Sequence, residues 1–408
     1  MTTYLMLLSQ VFSILGFAAY AASLTHIQIE WALSNFESGF LASCFFIGYV
    51  LIVPFATTLT DRIDSRQIYT SGAYLAALGL FGMGFLSTDL FSAGIFLMIH
   101  GIGISATYMP GLKIIADRVK DGEVTRHISF YTAFFGIGTA LSYFISGQII
   151  DHLGWRTAFI VTAIGPAIAG TLAWIGTRRL PHEKSFSEIH FDLKDAFPIA
   201  RWKKVLHVNE AMGYMLGYAA HSLELFASRS WLVAFFIYCA TANGGENSFP
   251  LTATLIATLI NLVGVPASII GNEIALRIGR HRWVYYVMLG SALFGVLLGS
   301  SVHWHWSWIL VLAFLHSMFI MADSATLTAG LVISVPREIK GAAMGLHSLL
   351  GFGGGLLGPA IFGAVLDLSR LLDYNGWQLA YASIVVWGVL FVLYTQFSLW
   401  KKKRSCSS

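Results

Sequence analysis

Twelve stretches of this chain are apolar over lengths that reach across a bilayer, and this constrains the fold more than any single motif. They fall near residues 4–25, 36–58, 68–87, 92–115, 127–150, 156–176, 208–238, 250–274, 283–302, 307–331, 342–366 and 377–399. A helix rises about 1.5 Å per residue, so each can span a hydrocarbon core of about 30 Å. No water satisfies the backbone inside that core, so segments of this length are expected to be helices. Composition agrees: 56% of residues are hydrophobic and 11% charged, where soluble domains carry about 25% charged residues.

Basic residues set the expected orientation. With both termini inside, the inward side holds 22 of the 25 Lys and Arg residues, leaving Arg156, Arg229 and Arg370. That asymmetry is the positive-inside pattern and predicts cytoplasmic termini in the plasma (inner) membrane. The longest polar interval, Thr177–His207, divides six spans from six. The expected organisation is therefore an N-terminal bundle at 1–176, a cytoplasmic linker at 177–207 and a C-terminal bundle at 208–408 with a basic tail. A signal-peptide reading of Ala18-Ala19-Tyr20-Ala21 is set aside, because no basic residue precedes it and the segment is needed for an even span count. Cys44, Cys239 and Cys406 form no CxxC pair and suggest neither a disulfide framework nor a metal site.

Ionisable residues inside the spans are the chemical signal. The stretch Tyr214–Trp231 carries His221, Glu224 and Arg229 in an otherwise apolar run. A charge facing lipid there would cost about 2.5 kcal/mol or more, so these groups must face protein or water. His221 and Glu224 share a helix face with Tyr218, whereas Arg229 points elsewhere and should find its partner on another helix. They form either a proton- and substrate-binding element or a static ion pair. His316 and Asp323 lie two turns apart in the tenth span, with Asp323 close to the bilayer middle. His100, Thr107, Tyr108 and Lys113 mark the fourth span. Lys113 is either an anion contact or a snorkelling side chain, and His347 reads as a packed histidine. His303-Trp304-His305-Trp306 lies in an outward turn where tryptophans mark the interface, so no metal is expected there.

The two halves repeat. Thr57–Arg66 after the second span matches Asn272–His281 after the eighth at an offset of 215. Gly147, Asp151, Gly154 and Trp155 match Gly363, Asp367, Gly376 and Trp377, and His100 matches His316 at 216. Duplicated halves with a site at their interface are typical of transporter folds.

On these residues the chain resembles the major facilitator superfamily over nearly its whole length. The loop signature after the second helix is matched by Leu59, Asp61, Arg62 and Arg66, with Thr57 and Asp64 where glycines are usual. Its second copy keeps Arg277, Gly279 and Arg280. The fourth span is similar to the family's Arg-x-x-x-Gly-x-Gly pattern at Gly101 and Gly103, with Leu97 in place of the arginine. Gly351–Pro359 resembles the family's glycine–proline kink element, with Gly354, Gly358 and Pro359 as its expected hinge.

The resemblance implies an all-α membrane protein of twelve transmembrane helices in two pseudo-symmetric six-helix bundles around a central cavity lined by spans 1, 4, 7 and 10. It implies a secondary active transporter of a small solute, driven by protons and working by alternating access. Glu224, Arg229, His221, Asp323, His316, His100, Lys113 and Tyr218 would line the proton and substrate cavity. Asp61, Arg62, Arg66, Arg277 and Arg280 would act as a conformational latch. An organic anion or amphipathic metabolite is the expected cargo; the alternatives are a drug or metabolite exporter working as a proton antiporter, and a lipid flippase on the same scaffold. No nucleophile–base pair stands at credible spacing, so no enzyme and no cofactor is expected. The expected partners are a small-molecule substrate, protons and the bilayer, without nucleic acid, for a monomer.

Overall fold

The structure, a computed structural model, describes residues 2–60, 63–119, 124–177, 197–245, 248–372 and 374–405, with backbone alone at 57, 58, 124, 125, 129, 337 and 398–405. The expected latch residues Asp61 and Arg62, and most of the linker, lie outside the described residues.

The first span is two helices. α1 (Thr2–Ser13) and α2 (Ala19–Glu30) have 12 residues each, about 18 Å apiece and too short to cross alone. Ser142 bridges the interruption between them, donating to the Leu15 carbonyl at 2.6 Å and accepting the Ala18 N–H at 2.9 Å. This repairs two of the backbone groups that a broken helix leaves without partners.

α3 (Asn35–Leu59), α4 (Ser65–Phe85) and α5 (Leu90–Arg118) follow as single spans. α6 (Val124–Thr162) and α7 (Ile164–Gly176) form an apolar run of 51 residues from Arg126 to Gly176. Gly154 bends it with φ 80° and ψ 164°, a conformation open to glycine because it has no Cβ. The run therefore holds the fifth and sixth spans. Among the described residues ten segments are long and apolar enough to cross a membrane; the bend at Gly154 and the α1–α2 pair bring the spans to the expected twelve.

After the short amphipathic α8 (Ile199–Leu206) come α9 (Asn209–Ala242), α10 (Ala253–Ile278) and α11 (Arg280–Ser300). The tenth span is broken, like the first, into α12 (Trp306–Ala322) and α13 (Ser324–Ser334), with Asp323 between them. α14 (Lys340–Leu371) and α15 (Gly376–Ser405) complete the chain.

The described chain forms two compact units. One comprises Met1–Pro198 with Ser230–Ala234 and Leu251–Leu262; the other comprises Ile199–Arg229, Phe235–Pro250 and Val263–Ser408. The first has a core around Met6, Tyr69, Ile114 and Tyr131. The second packs Val205, Tyr214, Met288, Leu327 and Leu346. Each unit repeats one packing device. A Cβ on Gly79 would stand 2.8 Å from the His100 Cα, and one on Gly295 would stand 2.9 Å from the His316 ring. The two Gly–His pairs are 216 residues apart, the spacing of the sequence repeat.

Candidate functional site

The second unit gathers ionisable groups from two spans into two buried pairs. On α9, His221 and Glu224 are one turn apart near the middle of the 34-residue run Asn209–Ala242. Across from them, His316 on α12 and Asp323 at the helix break belong to the 29-residue run Trp306–Ser334. His316 Nε2 donates to Glu224 Oε1 at 3.1 Å, with side-chain exposures of 2% and 5%. His221 Nδ1 lies 2.8 Å from Asp323 Oδ1, with exposures of 2% and 3%. Taking a lone carboxylate out of water costs several kcal/mol, which is why each carries an imidazole partner.

The pairs differ in how fully they are satisfied. Glu224 accepts a second hydrogen bond on Oε2 from the Ser291 hydroxyl of α11 at 3.1 Å. The Tyr381 ring packs edge-on against His316 at 5.5 Å. Asp323 is held less completely: its Oδ1 approaches His221 Nδ1 at 2.8 Å without a well-aligned hydrogen bond. Trp283 of α11 steadies the break by donating its indole N–H to the Ala322 carbonyl at 2.9 Å.

Aromatic rings extend the site toward α14. Tyr218 stacks on His221 at 5.6 Å and on His347 at 3.8 Å, both nearly parallel. His347 Nε2 meets the Thr328 hydroxyl of α13 at 3.2 Å. The packed histidine of the sequence reading therefore joins the ring stack. Gly351 lies flush against the Tyr218 ring. One and two turns on, Gly354 and Gly358 bring α14 against the α9 backbone: a Cβ on Gly354 would stand 2.6 Å from Leu223 N, and one on Gly358 2.5 Å from Leu223 O. Pro359 follows inside α14.

The remaining expected residues lie elsewhere. Arg229 is half-buried and directs Nη2 at the Met321 sulfur, 3.8 Å away. His100 belongs to the other unit, its Nδ1 on the Ala76 carbonyl at 3.2 Å and its ring beside Phe45. Lys113 Nζ is 3.5 Å from Asp117 on its own helix, both about one-third exposed. Arg277 is exposed near the end of α10 and Arg280 opens α11.

In the first repeat of the loop signature, the buried hub is Asp64. It lies 3.3 Å from Arg66 and 3.3 Å from Arg118. It also accepts the Arg66 backbone N–H at 2.9 Å as the N-cap of α4. Arg66 continues to the Thr177 carbonyl at 2.9 Å and stacks over Trp174. Asp64 stands at a glycine position of the signature, and that departure was the sequence's only pointer to it. Ser291 carried no signal, because a lone serine in an apolar span reads as packing.

Buried carboxylates, each with an imidazole partner and set at mid-span in long apolar helices, one of them at a helix break, define a polytopic membrane carrier rather than a soluble fold. The chain belongs to the Major Facilitator Superfamily, whose profile it matches over residues 6–359. It is 31% identical over 148 residues to the probable sphingolipid transporter spinster homolog 1 of Arabidopsis thaliana, covering 35% of this chain and 29% of that protein. It is 26% identical over 161 residues to the niacin transporter NiaP of Acinetobacter baylyi, covering 40% and 36%. The matched stretches thus span about a third of each curated relative. A bacterial homologue of the human lysosomal transporter spinster has the same fold, with a TM-score of 0.75, 14% identity, and coverage of 96% of this chain and 95% of that one. Homologues and fold are those of superfamily transporters, not of enzymes.

Proposed function

We propose that the protein is a proton-coupled secondary transporter of a small organic anion or amphipathic metabolite. The observation that carries this reading is the pair of histidine–carboxylate contacts buried at mid-span, His221–Asp323 and His316–Glu224. A carboxyl group that exchanges a proton inside the membrane must be able to stand neutral or paired, and an adjacent imidazole supplies both options. Arg229, five residues beyond Glu224 on α9, offers a planar donor fork for an anionic group.

Alternating access of two six-helix halves, 1–176 and 208–408, would carry the loaded site across the membrane, with both termini cytoplasmic in the plasma membrane and the chain acting as a monomer. Arg66, held by Asp64, and Arg277 and Arg280 in the second repeat would bias one state, together with Asp61 and Arg62. An amphipathic lipid as cargo is a second reading, favoured by the stretch shared with the sphingolipid transporter.

The test is flux into proteoliposomes under an imposed pH gradient, with labelled niacin and a labelled sphingolipid as first probes after a thermal-shift screen, since a bound solute raises the melting temperature by mass action. Gradient-driven accumulation that is lost in Glu224→Gln or Asp323→Asn supports the reading. Accumulation unchanged in both variants overturns the proton site.

A further inference from the structure

The two carboxylates are not equivalent, and the break in the tenth span shows why. Asp323 is the residue directly before α13, the N-cap position. There an aspartate side chain ordinarily accepts the backbone N–H of the second or third helical residue, here Ala325 or Thr326. Among the described residues it makes no such bond, because the carboxylate is directed at His221 instead. Its backbone is also helical, with φ −100° and ψ −15°, whereas a capping residue normally takes an extended conformation. One carboxylate thus has two partners that it cannot hold together: an imidazole on α9, or the first turn of its own helix.

We propose that Asp323 is the exchanging carboxyl and that it alternates between His221 and the N-terminus of α13, while Glu224 is a positioning residue fixed by His316 and Ser291. The proposal rests on the carrier reading and assigns its moving part. When a proton neutralises the Asp323 carboxyl, its hold on His221 weakens and the side chain swings to cap α13. Capping requires ψ of Asp323 to leave the helical region, so the swing reorients α13 relative to α12 and relays proton occupancy to the shape of the tenth span. Glu224 has no such choice, because both of its oxygens are already taken. The titratable groups that bear on Asp323 are His221 and Glu224 from α9; around them, His347 of α14 shares the Tyr218 ring stack with His221, His316 of its own span holds Glu224, Arg229 reaches Met321 two residues away, and α11 supplies the neutral Trp283 on Ala322 and Ser291 on Glu224.

The test uses the full-length protein in lipid nanodiscs with no cargo. Amide hydrogen exchange is followed over residues 324–328, and the carboxylic-acid C=O stretch is followed by infrared difference spectroscopy across a pH step. Asp323→Asn removes the charge that draws the side chain to His221 but can still cap, so exchange at Ala325 and Thr326 should slow by about fivefold relative to the native chain, the worth of one cap. Asp323→Ala can do neither, and its exchange should be at least as fast as native. The pH-dependent carboxyl band should vanish in Asp323→Asn and persist in Glu224→Gln. Equal exchange in the Asn and Ala variants, or a band lost in Glu224→Gln and kept in Asp323→Asn, overturns the proposal. Because no flux is measured, a chain that transports nothing yet shows these shifts fails the carrier reading alone. A chain that transports without them fails the switch alone.

Discussion

Asp64 and Arg118 meet at 3.3 Å across 54 residues of chain, with side-chain exposures of 1% and 6%. The carboxylate is held from two sides, by Arg66 as well as Arg118, and also caps α4. Removing one partner of a buried pair leaves the other charge uncompensated, which costs about 3–5 kcal/mol. Asp64→Ala should therefore lower the thermal unfolding midpoint in detergent sharply. Asp64→Asn, which keeps the cap, should lose less. Equal midpoints for the native protein and Asp64→Ala would show that this hub contributes nothing to stability.

The glycines of α14 separate close packing from simple flexibility. Gly354 has the α9 backbone where a Cβ would go, with Leu223 N at 2.6 Å and the Ala219 carbonyl at 2.9 Å, while Gly353 has nothing within 4 Å. Gly354→Ala must push the two helices apart and should destabilise by about 1–3 kcal/mol, as overpacking does. Gly353→Ala should be neutral or slightly stabilising, since alanine is the better helix former. Comparing the two unfolding midpoints checks this, and a ranking of Gly353→Ala below Gly354→Ala contradicts it.

A pH effect follows from the outward end of the first span. Glu30 accepts the Trp155 indole N–H at 2.6 Å and pairs with Arg156 at 3.1 Å, while Arg156 also donates to the Ser87 carbonyl. The Trp155 hydrogen bond, then Arg156, outweigh desolvation and hold the Glu30 carboxyl below its ordinary value of 4.5. A carboxyl whose folded value is depressed contributes stability above the unfolded value and loses it as pH falls through the folded one. Acidification below about pH 4 should therefore weaken the native protein relative to Glu30→Gln. The effect is small because the pair is exposed and screened by solvent. Trp155 fluorescence against pH reads it directly; identical profiles for both proteins would dismiss it.

Much of the fold was legible because its dominant cause is local. A run of apolar residues long enough to cross a bilayer carries its own signature, as does the 216-residue repeat that pairs His100 with His316. The breaks after Ser13 and at Asp323 were not legible. Neither is marked by proline, and each depends on a partner from another helix: Ser142 at the first and Trp283 at the second. Charged residues within spans announced a site, yet which imidazole meets which carboxylate is a property of helix packing. His316 and Asp323 share a span, but each is paired with a residue of α9. Arg156, one of the basic residues that departed from the inward bias, is accounted for by Glu30, a contact spanning 126 residues.

The last prediction concerns Glu224 and His316. Glu224 Oε1 takes His316 and Oε2 takes Ser291, so truncation strands two buried donors at once. Glu224→Ala should cost about 3–5 kcal/mol, read as a lower unfolding midpoint. Glu224→Gln keeps the shape and one carbonyl acceptor but turns its amide N–H groups toward one of the two donors, so about 1–3 kcal/mol is expected. His316→Gln can restore a donor to the carboxylate, and pairing it with Glu224→Gln should recover part of the loss by joining two neutral amides. If the double variant is as unstable as the sum of the singles, the two residues do not interact in the folded protein. The contact at 3.1 Å would then hold no more energy than the packing of Tyr381 and Gly295 around the ring.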